Sequence, residues 1–266
     1  MNEIQVNTWE ECEAEIRKIE HYNRNSFIPA CFRGHADADW ALQTTLERRT
    51  ATISAFLEYY RIMLVLKPAI ETFTNSIWEI PDFAEIQKWV MSYDAHRDPN
   101  QKVLSYSYMA HLRHNGFPSP LLDWTRSPYV AAFFAFSKPQ SDKVAIYAFV
   151  ESPNNSKSGS SAEPQIQVLG QYVKTHRRHF RQQSMYTISA KFDMNAGWQF
   201  VPHDNVFDLK RKDQDVGWKI TVPATEQMKV IRLLDRVNIN AFSLFESEEG
   251  LMESLAVQEI DLRRRP

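Results

Sequence analysis

Glycine is scarce in this sequence: only 7 of the 266 residues are of this type. The GxGxxG pattern of dinucleotide-binding turns, the GxxxxGK[ST] phosphate loop and the GxSxG turn of α/β-hydrolases are all absent. The sequence therefore excludes the nucleotide-binding folds and hydrolases that depend on these glycine-rich turns.

Cysteine is scarcer still. Cys12 and Cys31 do not have CxxC spacing, and isolated cysteines of this kind usually pack as small buried hydrophobes. We expect a reducing, cytoplasmic location. The eight histidines form no HExxH pattern, and His111 and His114 lack partner ligands at metal-binding spacing. No metal site is predicted.

Long apolar runs and a strong charge of one sign are also missing. No segment is long and apolar enough to predict a membrane span, and the amino-terminal residues do not resemble a signal peptide. The formal net charge is −2 and the isoelectric point is about 6.5. A protein that coats nucleic acid by bulk charge is excluded, which leaves only a local basic patch.

The most informative segment is PSPLLDWTRSPYVAAFFAF, residues 118–136. It places Asp123, Thr125, Arg126 and Ser127 inside an otherwise apolar and aromatic run. Polar groups removed from water need partners. The segment therefore predicts a polar pocket at the edge of a core, with a Leu-Leu-Asp-Trp turn before a helix that begins at Ser127-Pro128.

Apolar periodicity and capping residues predict the remaining elements. Helices are expected at 8–24, 37–49, 53–67 (ended or kinked by Pro68), 81–91, 105–116, 128–136, 224–236 and 248–255. Strands are expected at 28–34, 143–150, 185–192 and 218–222. We interpret residues 1–266 as one compact α+β domain with a core at about 28–255, a helical insertion at about 51–105 and a flexible loop at 152–165.

Four segments resemble the FRG domain, a family named for its Phe-Arg-Gly motif. They are Phe32-Arg33-Gly34 followed by Trp40, the HLRHNGFPSPLLDWTRSP stretch with its apolar helix, the Arg178, Gln182 and Tyr186 pattern, and residues 238–255. More remotely, the pattern is similar to ADP-ribosyltransferases, which hold NAD in a split α+β sheet. The resemblance implies a mixed or antiparallel split sheet with flanking helices.

The same resemblance implies roles for individual residues. Arg33 would hold the pyrophosphate or ribose of NAD, and Gln182 or Glu249 would orient the nucleophile or the ribose 2′-hydroxyl. Thr125 and Tyr129 would frame the nicotinamide. Further contacts to NAD are expected from Asp123, Trp124 and Arg178.

Four of these residues also have a structural interpretation. Arg33 would pair with a carboxylate such as that of Asp123, and Asp123 would satisfy backbone donors in a turn. Trp124 would pack in the core. Glu249 would interact with the amino terminus of a helix, where acids are favoured.

The implied function is that of a toxin or phage-defence enzyme, which cleaves NAD and transfers ADP-ribose to a macromolecule. Lys174, Arg177, Arg178 and Arg181, with interleaved aromatic residues between 172 and 186, favour RNA as the acceptor. An antitoxin or inhibitor protein is an expected partner. The alternative is a non-catalytic module that binds a nucleotide or a partner, and a nuclease is the weakest interpretation because no acidic metal cluster is visible.

Overall fold

The computed structural model describes residues 1–93, 103–170 and 177–263. The strands form one open mixed sheet with helices packed around it, which confirms the α+β class. The strands are β1 (Asn2–Gln5), β2 (Cys31–His35), β3 (Leu122–Thr125), β4 (Lys143–Val150), β5 (Gln165–Leu169), β6 (Ser184–Asp193), β7 (Gly197–Phe200) and β8 (Val216–Pro223). The helices are α1 (Trp9–Tyr22), α2 (Thr45–Arg49), α3 (Phe56–Thr74), α4 (Phe83–Val90), α5 (Tyr106–His114), α6 (Pro128–Phe136), α7 (Arg177–Arg181), α8 (His203–Asp208), α9 (Gln227–Arg236), α10 (Ala241–Phe245) and α11 (Glu248–Ala256).

The sheet has the strand order β1-β8-β4-β2-β3-β6-β5, and β7 pairs with β6. β1 and β8 are parallel, whereas the other paired strands are antiparallel. β4 is central, and every residue after Lys143 in it is buried. Strands covered on both faces read as continuous apolar runs, which explains why KVAIYAFV was predicted with its observed bounds.

The sheet narrows sharply between β2 and β3. β2 pairs with β4 over five residues, and β3 pairs with β6 over four. In contrast, β2 and β3 join only at Phe32 and Thr125. This junction divides the sheet into a β4 half (β1, β8, β4 and β2) and a β6 half (β3, β6, β5 and β7).

Helix α6 covers the β4 half at very short range. Ser127 caps the helix by accepting a hydrogen bond from the Val130 amide at 3.3 Å, and Pro128 occupies the first turn, as predicted. A Cβ on Gly34 of β2 would lie 1.9 Å from the Ala131 carbonyl oxygen and 2.7 Å from the Ala135 amide nitrogen. Only glycine at residue 34 allows the helix backbone to approach the strand this closely.

The long connection from β2 to β3 is mainly helical within its described part and forms a second core. Phe56, Tyr59 and Met63 of α3 pack in this core with Trp89 of α4 and Met109 of α5. α3 does not end at Pro68, as one reading of the sequence expected, but continues to Thr74. Pro68 is exposed, so water can solvate the carbonyl that loses its donor.

Two other predictions for this region are wrong. The Leu-Leu-Asp-Trp segment is not a turn, because Leu122–Thr125 forms β3. A helix at 37–49 is limited to α2, since the Asp37 carboxylate accepts hydrogen bonds from the Asp39 amide and the Ser141 hydroxyl. Such local bonds from an aspartate compete with helix formation.

The loop between β4 and β5 has no helix or strand, but ion pairs anchor it. The Lys157 ammonium lies 3.2 Å from the Glu151 carboxylate and 2.7 Å from that of Asp215, which is fully buried. Arg211 pairs with Glu163 at 2.7 Å and with Asp215 at 3.5 Å. The segment expected to be a flexible loop is therefore held against the start of β8.

Candidate active site

A cavity of about 790 Å³ opens where β2 and β3 diverge. This volume suits a ligand of nucleotide size. Side chains from both halves of the sheet line it. Its charged and polar lining residues include Arg33, His35, Arg48, Arg113, His114, Asp123, Thr125, Arg178, Gln182 and Ser184, and its aromatic ones include Trp40, Trp124, Tyr186 and Phe245.

Arg33 spans the narrow junction of the sheet. Its Nη1 donates a hydrogen bond to the backbone carbonyl of Asp123 at 2.7 Å, and its Nε donates to His35 Nε2 at 2.9 Å. Burial lowers the pKa of Arg33 from its ordinary value, although the neighbouring Asp123 opposes this shift. The structural interpretation is thus correct in part, because Arg33 binds the Asp123 backbone rather than its carboxylate.

His35 stays neutral in this setting. Burial, followed by the charge of Arg33, lowers the pKa of His35 to about 3. Since Nε2 accepts from Arg33, the proton of the neutral ring is assigned to Nδ1. His35 therefore holds Arg33 in place without adding charge to the cavity.

The carboxylate of Asp123 is paired with the guanidinium of Arg113. Within the described lining, four arginines (Arg33, Arg48, Arg113 and Arg178) face this one carboxylate. The lining is therefore strongly positive, and arginines favour phosphate because they donate in a planar, bidentate geometry. The charge of the cavity indicates an anionic ligand.

Trp124 and Thr125 are buried, line the cavity and also form hydrogen bonds that hold the surrounding elements together. Trp124 donates through Nε1 to the Thr187 hydroxyl at 2.8 Å, and that hydroxyl is also 2.8 Å from His203 Nε2. The Thr125 hydroxyl donates to the Gln182 carbonyl at 2.7 Å and accepts from the Ser127 amide at 3.0 Å. These bonds fix β3 relative to the turn that carries Gln182.

Arg178 and Gln182 approach the cavity from the carboxyl-terminal part of the sequence. Arg178 donates through Nε to the Phe245 carbonyl at 3.2 Å and lies 5.6 Å from the centre of the Phe245 ring. Gln182 Nε2 donates to the Leu244 carbonyl at 3.3 Å. The structure thus brings Arg33, Asp123, Trp124, Thr125, Arg178 and Gln182 to one cavity.

Tyr129 and Glu249, two further predicted site residues, are not among the residues that line the cavity. Tyr129 faces α1 and donates to the Glu13 carboxylate at 3.1 Å. Glu249 is exposed in the first turn of α11, where its own backbone amide, the Ser247 hydroxyl and the charge of Arg178 lower its pKa. Its position matches the helix-terminus interpretation.

The described part of the basic segment does not form a continuous positive face. Tyr172, Lys174 and His176 lie outside the described residues. In α7, His179 is buried and Arg181 pairs with Glu246. Phe180 is 64% exposed and is the aromatic residue of this helix that is open to solvent.

Sequence reasoning did not assign His35, Arg48 or Arg113 to the site. His35 could have been inferred, because alternate residues of a strand share one face and Arg33 lies on the same strand. Arg48 follows a capping box formed by Thr44 and Glu47, a signal for the helix but not for its orientation. No neighbouring residue in the sequence indicates a site role for Arg113. Its partner Asp123 is brought to it by the pairing of β3, which the sequence did not predict.

The fold and site define an α+β protein with a basic, nucleotide-sized cavity in a nearly divided sheet. The family model of the FRG domain matches residues 29–144, so this part of the chain is similar to the FRG domain. The match includes Arg33, Asp123 and Thr125 but ends before Arg178 and Gln182. No curated protein and no solved structure matches the chain.

Two kinds of feature are absent from the described residues. None of the described helices combines the length and apolarity that crossing a membrane requires. Across the same residues, no group of three or more His, Cys, Asp or Glu side chains is arranged to hold a metal ion.

Proposed function

We propose that the cavity binds NAD and that the protein is an ADP-ribosyltransferase-like enzyme acting on a macromolecule. The supporting observation is that Arg33, Thr125 and Gln182 line one cavity at the division of the sheet, together with three further arginines. We propose a cytoplasmic toxin or defence enzyme with RNA as the acceptor and an inhibitor protein as its partner.

The residue types suit cleavage of the bond between nicotinamide and ribose. This reaction builds positive charge on the sugar, as glycoside cleavage does. The arginines supply donors to the pyrophosphate. Trp40 lines the cavity and is 47% exposed, so its ring can stack on a planar base. The Gln182 carboxamide provides an acceptor without adding charge to the site.

A non-catalytic nucleotide-binding module is the second candidate. The observation that favours it is that neither predicted acidic residue is available as a free carboxylate in the cavity. Asp123 is paired with Arg113, and Glu249 is outside the described lining. In such a module the same arginines bind the nucleotide, but the bond to nicotinamide stays intact. Nicotinamide release therefore separates the two functions.

The test is incubation of the purified protein with NAD labelled in the adenylate, in the presence of RNA, DNA or protein acceptors. The enzyme is expected to release nicotinamide and to label the RNA. Binding of NAD by calorimetry without any nicotinamide release would support the module instead. Absence of both binding and release would reject both candidates.

Arg48 offers a mild way to probe ligand binding. It is exposed, it lines the cavity, and its guanidinium makes no hydrogen bond or ion pair with the described residues. Its replacement therefore leaves the fold intact. Because a hydrogen bond to a charged group contributes about 1.5–3 kcal/mol, Arg48→Gln is expected to weaken NAD binding by roughly 10-fold or more.

The matched control is Arg49→Gln, since Arg49 is also exposed on α2 but is not a lining residue. Calorimetric titration of NAD should give the wild-type affinity for this variant. Equal losses in both variants would indicate a general charge effect and would remove Arg48 from the site.

A further inference from the structure

Two side chains of the cavity wall, Tyr186 and His114, have no role in the proposed function so far. Tyr186 lies on β6 and His114 at the end of α5, and both line the cavity. The Tyr186 hydroxyl oxygen is 2.6 Å from His114 Nε2. A hydrogen bond this short joins a phenol directly to a base at a ligand-sized opening.

The protonation state of Tyr186 follows from its surroundings. Burial raises the pKa of Tyr186 far above its ordinary value, and the nearby Asp123 and Tyr106 raise it further. The phenol is therefore neutral. With the ring proton of His114 assigned to Nδ1, the O–H of Tyr186 donates to Nε2. A hydroxyl also has two acceptor sites, so the same oxygen can accept a hydrogen bond from a group in the cavity.

We infer that Tyr186 and His114 form a proton relay that activates the oxygen nucleophile of the acceptor, an inference that rests on the proposed function. The acceptor O–H bond breaks and its proton passes to the Tyr186 oxygen, while the Tyr186 proton passes to His114 Nε2. The electron pair left on the acceptor oxygen forms the bond to the ribose carbon. The electrons of the ribose–nitrogen bond leave with nicotinamide, which departs neutral.

The relay fits the position of Tyr186 in the sheet. Tyr186 is paired with Asp123 across the β3–β6 ladder, so it is held beside the carboxylate that Arg113 neutralises. The nucleophile would thus meet a neutral phenol rather than an anion. Tyr186 is the catalytic residue of the relay, and His114 acts through it.

Several titratable or charged groups surround His114. The ring of His179 from α7 lies 6.1 Å from that of His114 and is stacked on Tyr186 at 5.8 Å. Arg113 precedes His114 on α5, and Asp123 of β3 and Arg178 of α7 line the same cavity. A histidine must be neutral to accept a proton, so protonation of His114 would block the relay and the transfer rate should rise with pH.

Tyr186→Phe tests the relay because it keeps the ring and its packing. General acid–base groups contribute about 100-fold to 10,000-fold, so kcat for transfer is expected to fall by at least about 100-fold. The affinity for NAD, measured by calorimetry, should stay within about 2-fold, a change of less than 0.5 kcal/mol.

The matched control is Tyr106→Phe. Tyr106 contacts Tyr186 edge-on with ring centres 6.1 Å apart, but its hydroxyl donates to the Leu169 and Gly170 carbonyls and it is not a lining residue. It should keep the wild-type kcat. Loss of activity in both variants with a lowered urea midpoint would indicate a structural effect and overturn the relay.

His114→Gln and His114→Ala test whether His114 accepts a proton or only packs against Tyr186. His114→Gln should lose both the rate and its rise with pH, and added imidazole should restore activity to His114→Ala. A wild-type pH profile in His114→Gln would overturn the relay while leaving the proposed function intact. If wild type released no nicotinamide, the proposed function would fail first and the relay with it.

Discussion

Replacement of Gly34 by alanine is expected to prevent folding. The new Cβ would lie 1.9 Å from the Ala131 carbonyl oxygen, 2.7 Å from the Ala135 amide nitrogen and 2.9 Å from the Ala131 carbonyl carbon. All three are backbone atoms of α6, which cannot rotate aside as a side chain can. Separating α6 from β2 would open the core of the β4 half, so we expect a loss of more than about 4 kcal/mol in the free energy of unfolding.

Soluble yield and urea unfolding measure this effect, and Gly116→Ala provides the control. Gly116 has a φ of +84°, but a Cβ there meets no atom within 4 Å. Only the left-handed backbone conformation is penalised, by about 1–2 kcal/mol. A Gly34→Ala protein as stable as Gly116→Ala would show that α6 and β2 are not in close contact.

Replacement of Lys157 by methionine is expected to have the next largest effect. Lys157 bridges the carboxylates of Glu151 and Asp215, both of which are buried. Without it, Arg211 at 3.5 Å is the one cation that pairs with Asp215 among the described residues. Removal of one partner from a buried ion pair typically costs about 3–5 kcal/mol, and urea unfolding at neutral pH should show a loss of this order.

The same variant should recover stability on acidification. Burial raises the pKa of Glu151 and of Asp215, and Lys157 is the largest influence that opposes the rise for each. In Lys157→Met the folded protein therefore holds protons on these carboxyls at pH values where the unfolded chain has lost them. Stability then increases as the pH falls from neutral towards the ordinary carboxyl pKa of about 4.

Lys212→Met is the matched control, because Lys212 is exposed and forms no ion pair with the described residues. It should be as stable as wild type at each pH. A deficit in Lys157→Met that did not change with pH would mean that lost packing, rather than uncompensated charge, causes it.

Elements with local signals were predictable from the sequence. β4 is a continuous apolar run, and α6 begins with Ser-Pro. Thr8 caps α1 as expected, by accepting from the Glu11 amide. In each case the neighbouring residues determine the structure, so no knowledge of distant contacts is needed.

Elements that depend on distant partners were not predictable. β3 has only four residues and is a strand because Asp123 and Trp124 pair with Tyr186 and Met185. β1 is a short exposed edge strand whose partner, β8, lies at the other end of the sequence. Pairing of this kind is set by tertiary structure rather than by local propensity.

The same distinction applies to the site. Arg33 and Gln182 were marked by a family resemblance and Asp123 by its place in an apolar run, and all three line the cavity. Tyr129 was assigned from its place in the motif. It is the second residue of α6, and its side chain contacts Glu13 and does not line the cavity. The orientation of a side chain on a helix depends on which face the helix buries, and the almost wholly apolar α6 gives no such indication.

The strand order makes the two halves of the sheet interdependent along the chain. The polypeptide crosses between them four times, at β2–β3, β3–β4, β4–β5 and β7–β8. The segment matched by the family model stops two residues into β4 and omits β6 entirely. Cut out alone, residues 29–144 would expose unpaired edges on both β2 and β3, so the matched segment is not an autonomous folding unit.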